Sequence, residues 1–554
     1  MKIFVEGERY SLVDLEKIFG NRQFYAQHGF DGIITSVGYY HSFTRNELVF
    51  MLPKVFMRDD GKTVFGNTAE ELVSWFSDKD SVKHSDEMAW IRNISVFFYK
   101  SLTEFRKRYP ESLLINYSSC YDVKNLTETK SYSYLDILLS FVAFYKKHRN
   151  HIHFRHLEAV NAAPKKSRWE KTVRKKLPVI SADGNFFYPQ VVNKKKEVNS
   201  EEELIVYFLS ILNRFSEDHQ LNINIDRIYP LIKGAKFDTI VKNGSGLNKL
   251  KKIKYRYYSD IMKSMHRLCE IYFSVYDKAA GKQQEDFISV SSYNIVFEDM
   301  IDRLFSEEIK DIEVEGVKLK ELKYNDDGKI IDHIFDHRSL LDGSDIFYIG
   351  DSKYYKSTSE AGKVSVFKQF TYAKNVIQYN INLLKDNRKY RDEIRYRDPV
   401  TEGYSITPNF FIYGFIENEN DYSDHLFPRG EIKSSSHFRY RLFDRDTLFV
   451  HQYQINFLFV LKAYTSFSGR AFAEYRSGIK NMFRDNFIDY FNNNSGYRFY
   501  QLNEDYVAEN IVTENFRAWL GKSFITEDGR LILAVHENDR EFSVESKYFR
   551  RIKL

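Results

Sequence analysis

Residues 329–356 read KIIDHIFDHRSLLDGSDIFYIGDSKYYK, and after a short polar gap residues 366–381 read VFKQFTYAKNVIQYNI. The first segment holds two apolar runs of strand length, each ending in an acid, around a turn rich in Ser, Asp and Gly. The second spaces its apolar residues for a helix and carries Gln369 and Tyr372. Two strands followed by a helix predict the centre of a mixed α/β core.

Neighbouring segments extend this pattern. Ser291 to Phe305 predicts a helix with Val296, Phe297, Met300, Ile301 and Leu304 on its apolar face and Glu298 and Asp299 near the polar edge. Val314 to Leu322 and Phe410 to Ile416 read as further strands. The order α-β-β-β-α-β gives a mixed sheet flanked by helices over residues 286–425. Residues 1–160 read as a β-rich segment followed by helices, and residues 161–285 as a mostly helical, basic region. Residues 426–554 read as an appendage without a chemical signature, in which Thr447 to Tyr464 and Ala471 to Phe491 are expected to be buried helices. The fold class is α/β, or α+β taken over the whole chain.

Bulk properties narrow the function classes. A chain of 554 residues exceeds one ordinary core, and its 43% hydrophobic content is ample for folding. Its 40 Tyr and 47 Phe stand against only 9 Pro and 25 Gly, so long helices and well-filled strands with few breaks are expected. The net charge of +5 is compatible with a polyanion partner. Two distant cysteines, Cys120 and Cys269, make no disulfide framework, which points to a reducing cytoplasm. The opening MKIFVEGERY lacks the apolar region of a signal peptide. The run Ile455 to Val460 is too short to span a bilayer, so no membrane is expected. Gly521-Lys522-Ser523 resembles the end of a Walker loop, but Phe516 stands where that loop needs glycine. Any nucleotide hydrolysis is therefore assigned to another chain.

The acids at the strand ends suggest a specific chemistry. Hydrolysis of a phosphodiester needs an activated water and neutralisation of charge growing on the phosphate. Mg²⁺ does both through hard oxygen ligands, and Mn²⁺ substitutes for it. If the two strands pair across the turn, Asp332 and Asp351 converge on one cation. Lys353, two residues beyond Asp351, lies on the same strand face and can stabilise the transition state. The Ser352 carbonyl and Glu298 could complete the coordination. Acid-x-Lys triplets recur at 308–310, 321–323, 431–433 and 545–547, and the last, in FSVESKYF, is the serious rival. Only the copy at 351–353 has an acid-bearing strand and a helix upstream and a polar-bearing helix downstream.

This arrangement resembles the PD-(D/E)xK nuclease superfamily, and Gln369-Phe370-Thr371-Tyr372 is similar to the Gln-x-x-Tyr element of its RecB-like branch. The resemblance implies Asp332 and Asp351 as metal ligands, Lys353 as the catalytic lysine and Glu298, in VFEDMI, as the acid of the first core helix. It implies that Gln369 and Tyr372 orient the site or contact DNA. The proline that usually precedes the first acid is Ile331 here, so Asp332 and Asp336 both stay open as the first ligand. More narrowly, VGYYHS with ELVFMLPKVF, RWEKTVRKKLPVI with NFFYPQ, and VFEDMI resemble the LlaJI-type, McrC-related restriction subunits over about residues 1–465. That likeness implies an endonuclease of a defence system against foreign DNA. Its partner would be an McrB-like AAA+ GTPase hexamer engaging residues 1–160. The cluster Lys165, Lys166, Arg168, Lys171, Arg174 and Lys175, with Lys176 and Trp169 beside it, is the candidate contact to double-stranded DNA. A solvated helix face with Trp169 packed beneath it is the alternative reading.

Overall fold

The computed structural model describes residues 2–20, 24–42, 45, 47–74, 85–118, 121–124, 129–160, 166–198, 203–219, 221, 223–225, 229–278, 285–306, 313–314, 317–318, 323, 331–355, 362–385, 396–417, 421–436, 440–540, 544 and 547–554. The chain forms two compact units, both discontinuous in sequence. One comprises Met1, Tyr39–Val49 and Asn116–Ile288; the other comprises Lys2–Gly38, Phe50–Ile115 and Ser289–Leu554. The architecture is mixed α and β with mixed sheets.

The larger unit is built on a sheet of six strands. Its elements run α1 (Tyr293–Phe305), β1 (His333–Arg338), β2 (Asp345–Lys353), α2 (Lys363–Lys385), β3 (Pro408–Phe415), β4 (Leu448–Asn456), α3 (Phe457–Ser466) and α4 (Gly469–Asn493). β1 pairs antiparallel with β2, β2 pairs parallel with β3, and β3 pairs parallel with β4. The short strands Leu426–Pro428 and Lys433–Ser435 add antiparallel to β4. All eight residues of β3 and all but the first of β2 are buried, as expected for strands covered on both faces.

Aromatic packing sets what covers each face. Phe483 of α4 stacks on Phe410 of β3 at 4.5 Å and meets Tyr453 of β4 edge-on at 4.7 Å. Phe297 of α1 lies 5.6 Å from Phe457 of α3, and both rings approach Gly414. On β2, Gly350 leaves room for the Phe410 ring: a Cβ there would sit 2.0 Å from Phe410 Cε2. Beyond the sheet, Tyr354 donates to Glu6 Oε2 and accepts from the Lys54 amide at 3.2 Å. Residues far earlier in the chain thus hold the end of β2.

Two expectations need correction. Thr447 to Tyr464 is not one helix. Leu448–Asn456 is a strand, and the helix begins only at Phe457, where the Asn456 side chain accepts from the Leu458 amide at 3.0 Å. Asparagine is a strong N-cap, and it divides one long apolar run into two elements. Nor is the region from 426 onward separate from the core, because β4, α3 and α4 complete and cover the same sheet. Residues 497–552 add a four-stranded antiparallel sheet packed with the helix Ala508–Trp519.

In the smaller unit, helices Tyr134–His153, Glu203–His219 and Asp260–Lys278 meet in an aromatic core of Phe141, Phe208, Phe215 and Tyr272. Phe141 and Phe208 stack at 4.9 Å. The region 161–285, expected to be mostly helical, is helical from Glu203 onward, but among the described residues before it Phe154–Val160 pairs antiparallel with Val192–Val198 and Trp169–Lys175 is a short helix. The first helix starts with a reciprocal cap, Asp136 N to Ser133 Oγ at 3.0 Å and Ser133 N to Asp136 Oδ2 at 3.2 Å. Buried Asp286 accepts from the Tyr134 amide and from Tyr39 Oη at 3.2 Å.

Two measurements follow from this packing. Gly350→Ala drives a methyl into the ring of Phe410, itself clamped by Phe483, and should destabilise the protein by about 1–3 kcal/mol in urea unfolding. For Asp286, burial outweighs both donors and pushes the carboxyl up to about 7. The unfolded chain releases that proton near pH ~4, so the contribution to stability is full below that pH. It is lost as pH rises towards about 7, at most about 1.4 kcal/mol per pH unit. Asp286→Asn should flatten this part of the stability profile; an unchanged decline between pH 5 and 8 would assign it to another group.

Candidate active site

The site forms where the β1–β2 ladder ends. Its last pair is His333 with Gly350, and the same register continued by one position sets Asp332 against Asp351. Two like charges directly opposite repel, which favours ending the ladder at this point. Asp332 accepts from the Ser352 amide, at 3.1 Å from Oδ2, and shares a side-chain hydrogen bond with Asp351. Lys353 lies on the same face of β2 as Asp351, and its ammonium is ion-paired with Asp351 Oδ2. The Lys353 Nζ also sits 4.9 Å from the Phe411 ring centroid. Glu298 reaches the group from α1, with Asn294 Nδ2 donating to its Oε1 at 3.3 Å.

Burial and crowding of negative charge dominate the electrostatics. Burial pushes the Asp332 carboxyl well up, and the charges of Asp351 and Glu298 push it further. Burial likewise raises Glu298; Asp351 adds to the rise while Asn294, Lys353 and Lys368 oppose it. Three acidic side chains are thus crowded together, and at Glu298 the nearby lysines oppose the rise only in part. Among the described residues, no three or more acidic, histidine or cysteine side chains are grouped so as to hold a metal ion as they stand. In this arrangement Lys353 provides the neighbouring counter-charge to Asp351.

α2 braces the site from the strand face that carries Asp351. Gln369 is buried and donates from Nε2 to the Ile349 carbonyl at 3.3 Å, fixing the backbone two residues before Asp351. Tyr372 is also buried and hydrogen-bonds Lys368, whose ammonium lies 5.3 Å from the Tyr372 ring centroid. Lys368 in turn feels the charges of Asp351 and Asp332. The sequence reading missed this second lysine; its signal is the spacing of four residues to Tyr372, which places both on one helix face. The reading also missed the Ser352 hydroxyl, His333, Asp302 and Lys323, which lie behind the carboxylates.

Other candidates fall elsewhere. Asp336 is on β1 opposite Phe347, four residues further along the strand than Asp332, so Asp332 is the acid that faces Asp351. Asp299 is a structural tie, accepting from Tyr109 Oη at 2.7 Å, Arg108 at 3.2 Å and Tyr464 Oη at 2.5 Å. Of the rival triplet, Glu545 lies outside the described residues, and Lys547 sits 4.3 Å over the Tyr548 ring.

The basic cluster belongs to the smaller unit. Lys165 lies outside the described residues and Lys166 begins a two-residue strand against Lys194. Arg168, Lys171, Arg174 and Lys175 are on or beside the helix Trp169–Lys175. Trp169 is not packed beneath that helix but 57% exposed. The hairpin that follows, Val179–Ile180 with Phe186–Phe187, is exposed on both faces.

Asp332→Asn tests the crowding directly. In the presence of a chelator it should raise the melting temperature, on the order of 2 °C, because a buried carboxyl crowded by Asp351 and Glu298 is replaced by an amide that cannot ionise. It should also abolish stabilisation by added Mn²⁺ in the same calorimetric scan. A lowered melting temperature without metal would show that the carboxylate is held by attraction rather than repulsion.

The chain matches no family model, and no curated protein shows significant sequence similarity to it.

Proposed function

We propose that this chain is a metal-dependent endodeoxyribonuclease with a PD-(D/E)xK core, the cutting subunit of a GTP-dependent restriction system of the McrC-related, LlaJI type. The observation that carries this reading is the convergence of Glu298, Asp332 and Asp351 with Lys353 at the open end of a strand ladder. Asp332, Asp351 and Glu298 would hold Mg²⁺, with Mn²⁺ as a substitute. When bound, the cation supplies an acidified water and neutralises charge on the phosphate.

The chain's own groups carry the remaining work. The Ser352 amide orients the Asp332 carboxylate. Lys353 supplies an ammonium beside Asp351, where it stabilises negative charge as the phosphodiester is attacked. Gln369 keeps the strand in place through the Ile349 carbonyl. Lys368, steadied by Tyr372, is a second cation for the DNA backbone, and the basic helix at 168–175 adds sequence-independent phosphate contacts. The GTPase partner rests on the likeness of the segments around residues 37–56 and 168–190 to restriction subunits of this type.

Plasmid cleavage with Mg²⁺ tests the proposal. Wild type and Lys353→Ala are compared alone and with an McrB-like AAA+ GTPase plus GTP. Cleavage only by wild type, only with partner and GTP, is expected, with Lys353→Ala reduced at least ~100-fold, the loss typical of removing one transition-state donor. Cleavage by wild type alone would make it a standalone repair or mobile-element nuclease. Equal cleavage by both would move the active site elsewhere. GTPase stimulation with no cleavage at all would leave a non-catalytic scaffold.

A further inference from the structure

Behind the carboxylates, on the opposite face of β1 and β2, runs a continuous line of polar groups. Lys323 Nζ donates to Asp302 Oδ2 at 2.7 Å, and His333 Nδ1 lies 3.3 Å from Asp302 Oδ1. His333 Nε2 lies 2.5 Å from Ser352 Oγ, and the Ser352 amide donates to Asp332 Oδ2 at 3.1 Å. His333 has no exposed surface, and Lys323 and Ser352 are 5% and 7% exposed. Such a chain is costly to bury unless every member is satisfied, and here the members satisfy one another.

The proton positions follow from the partners. Burial alone would raise Asp302, but the hydrogen bond from His333 and the charge of Lys323 prevail and hold it down at about 2. A carboxylate only accepts, so Nδ1 of His333 carries the hydrogen. Nε2 then accepts from the Ser352 hydroxyl. The order Ser352, His333, Asp302 is also that of a nucleophilic triad. Ser352 and His333 lie on the strand face opposite Asp332 and Asp351, so the role argued for them is positioning.

The geometry shows what needs positioning. His333 and Gly350 are the final ladder pair, and Ser352 is two residues past Gly350 on the same face. The His333–Ser352 bond therefore runs diagonally across the strands, just beyond the last backbone pair. It holds the strands together where the repelling carboxylates would part them. We propose that His333, backed by Asp302 and Lys323, is a positioning residue that clamps Ser352 so that the Ser352 amide holds Asp332 in its ligating orientation. This rests on the metal-centre reading of Asp332 and Asp351.

The test uses the full chain and Mn²⁺ as probe, followed by electron paramagnetic resonance without DNA, alongside plasmid cleavage kinetics. Ser352→Ala removes the hydroxyl but keeps the amide; His333→Gln replaces the ring. Both should bind Mn²⁺ about tenfold more weakly, as loss of a partner to a ligating carboxylate typically does. Their kcat should fall with KM for DNA unchanged, and Ser352→Thr, which retains a hydroxyl, should recover Mn²⁺ affinity. Wild-type Mn²⁺ affinity in Ser352→Ala, with an unchanged circular dichroism spectrum, overturns the clamp while leaving the metal centre standing. Absence of Mn²⁺ binding by wild type overturns the metal centre itself, and the clamp with it.

Discussion

The opposition of Asp332 and Asp351 is the constraint around which the larger unit is arranged. Two carboxylates directly across an antiparallel pair cannot be stabilised by the ladder, and the ladder stops one residue short of them. Every neighbouring feature bears on that conflict. Lys353 neutralises one acid, the Ser352 amide holds the other, and Gln369 anchors the β2 backbone two residues before Asp351. Tyr354, the next residue along, is pinned by Glu6 and Lys54. A short stretch of β2 is thus fixed from several directions, as a site that must hold like charges together requires.

Rigidity of this kind comes from the aromatic mass beneath the strands. Phe410, Phe483 and Tyr453 form a packed layer under Gly350, and the absence of a side chain there lets β2 lie close against it. The high content of Phe and Tyr is therefore a packing feature of this sheet as much as a compositional one. Much of the tyrosine is buried with its hydroxyl bonded, as Tyr464 on Asp299 and Tyr396 on the Phe347 backbone illustrate. These bonds tie helices and strands at points where an aliphatic core would not specify alignment.

The sequence made the centre of the fold legible because its signals there are local. Strands of continuous apolar residues, a turn of Ser, Asp and Gly, and a helix with 3.6-residue spacing each declare themselves within about ten residues. Hence the positions of Asp332, Asp351, Lys353 and Gln369 on their elements could be anticipated. The groups behind them could not. Lys323, Asp302, His333 and Ser352 are related only through tertiary packing, and Asp302 and Ser352 lie 50 residues apart in the chain. The long run at 447–464 misled because hydrophobicity alone does not separate a buried strand from a buried helix. Its one punctuation mark, Asn456, is legible as a cap in hindsight. The ribbon at 154–198 was obscured by its charge: lysine-rich strands carry little apolar periodicity.

The discontinuity of the larger unit has a consequence for how the protein comes into being. Residues 2–38 and 50–115 belong with residues 289–554, so the ribosome delivers the first part of this unit long before its complement. Glu6 and Lys54 wait some 300 residues for the tyrosine they bind. Until then that early segment has no completed core, while residues 116–288 can condense as they emerge. Vectorial synthesis thus completes the smaller unit first and the larger unit last. A nascent chain arranged in this way makes its three acids well before the last residues of the unit that positions them.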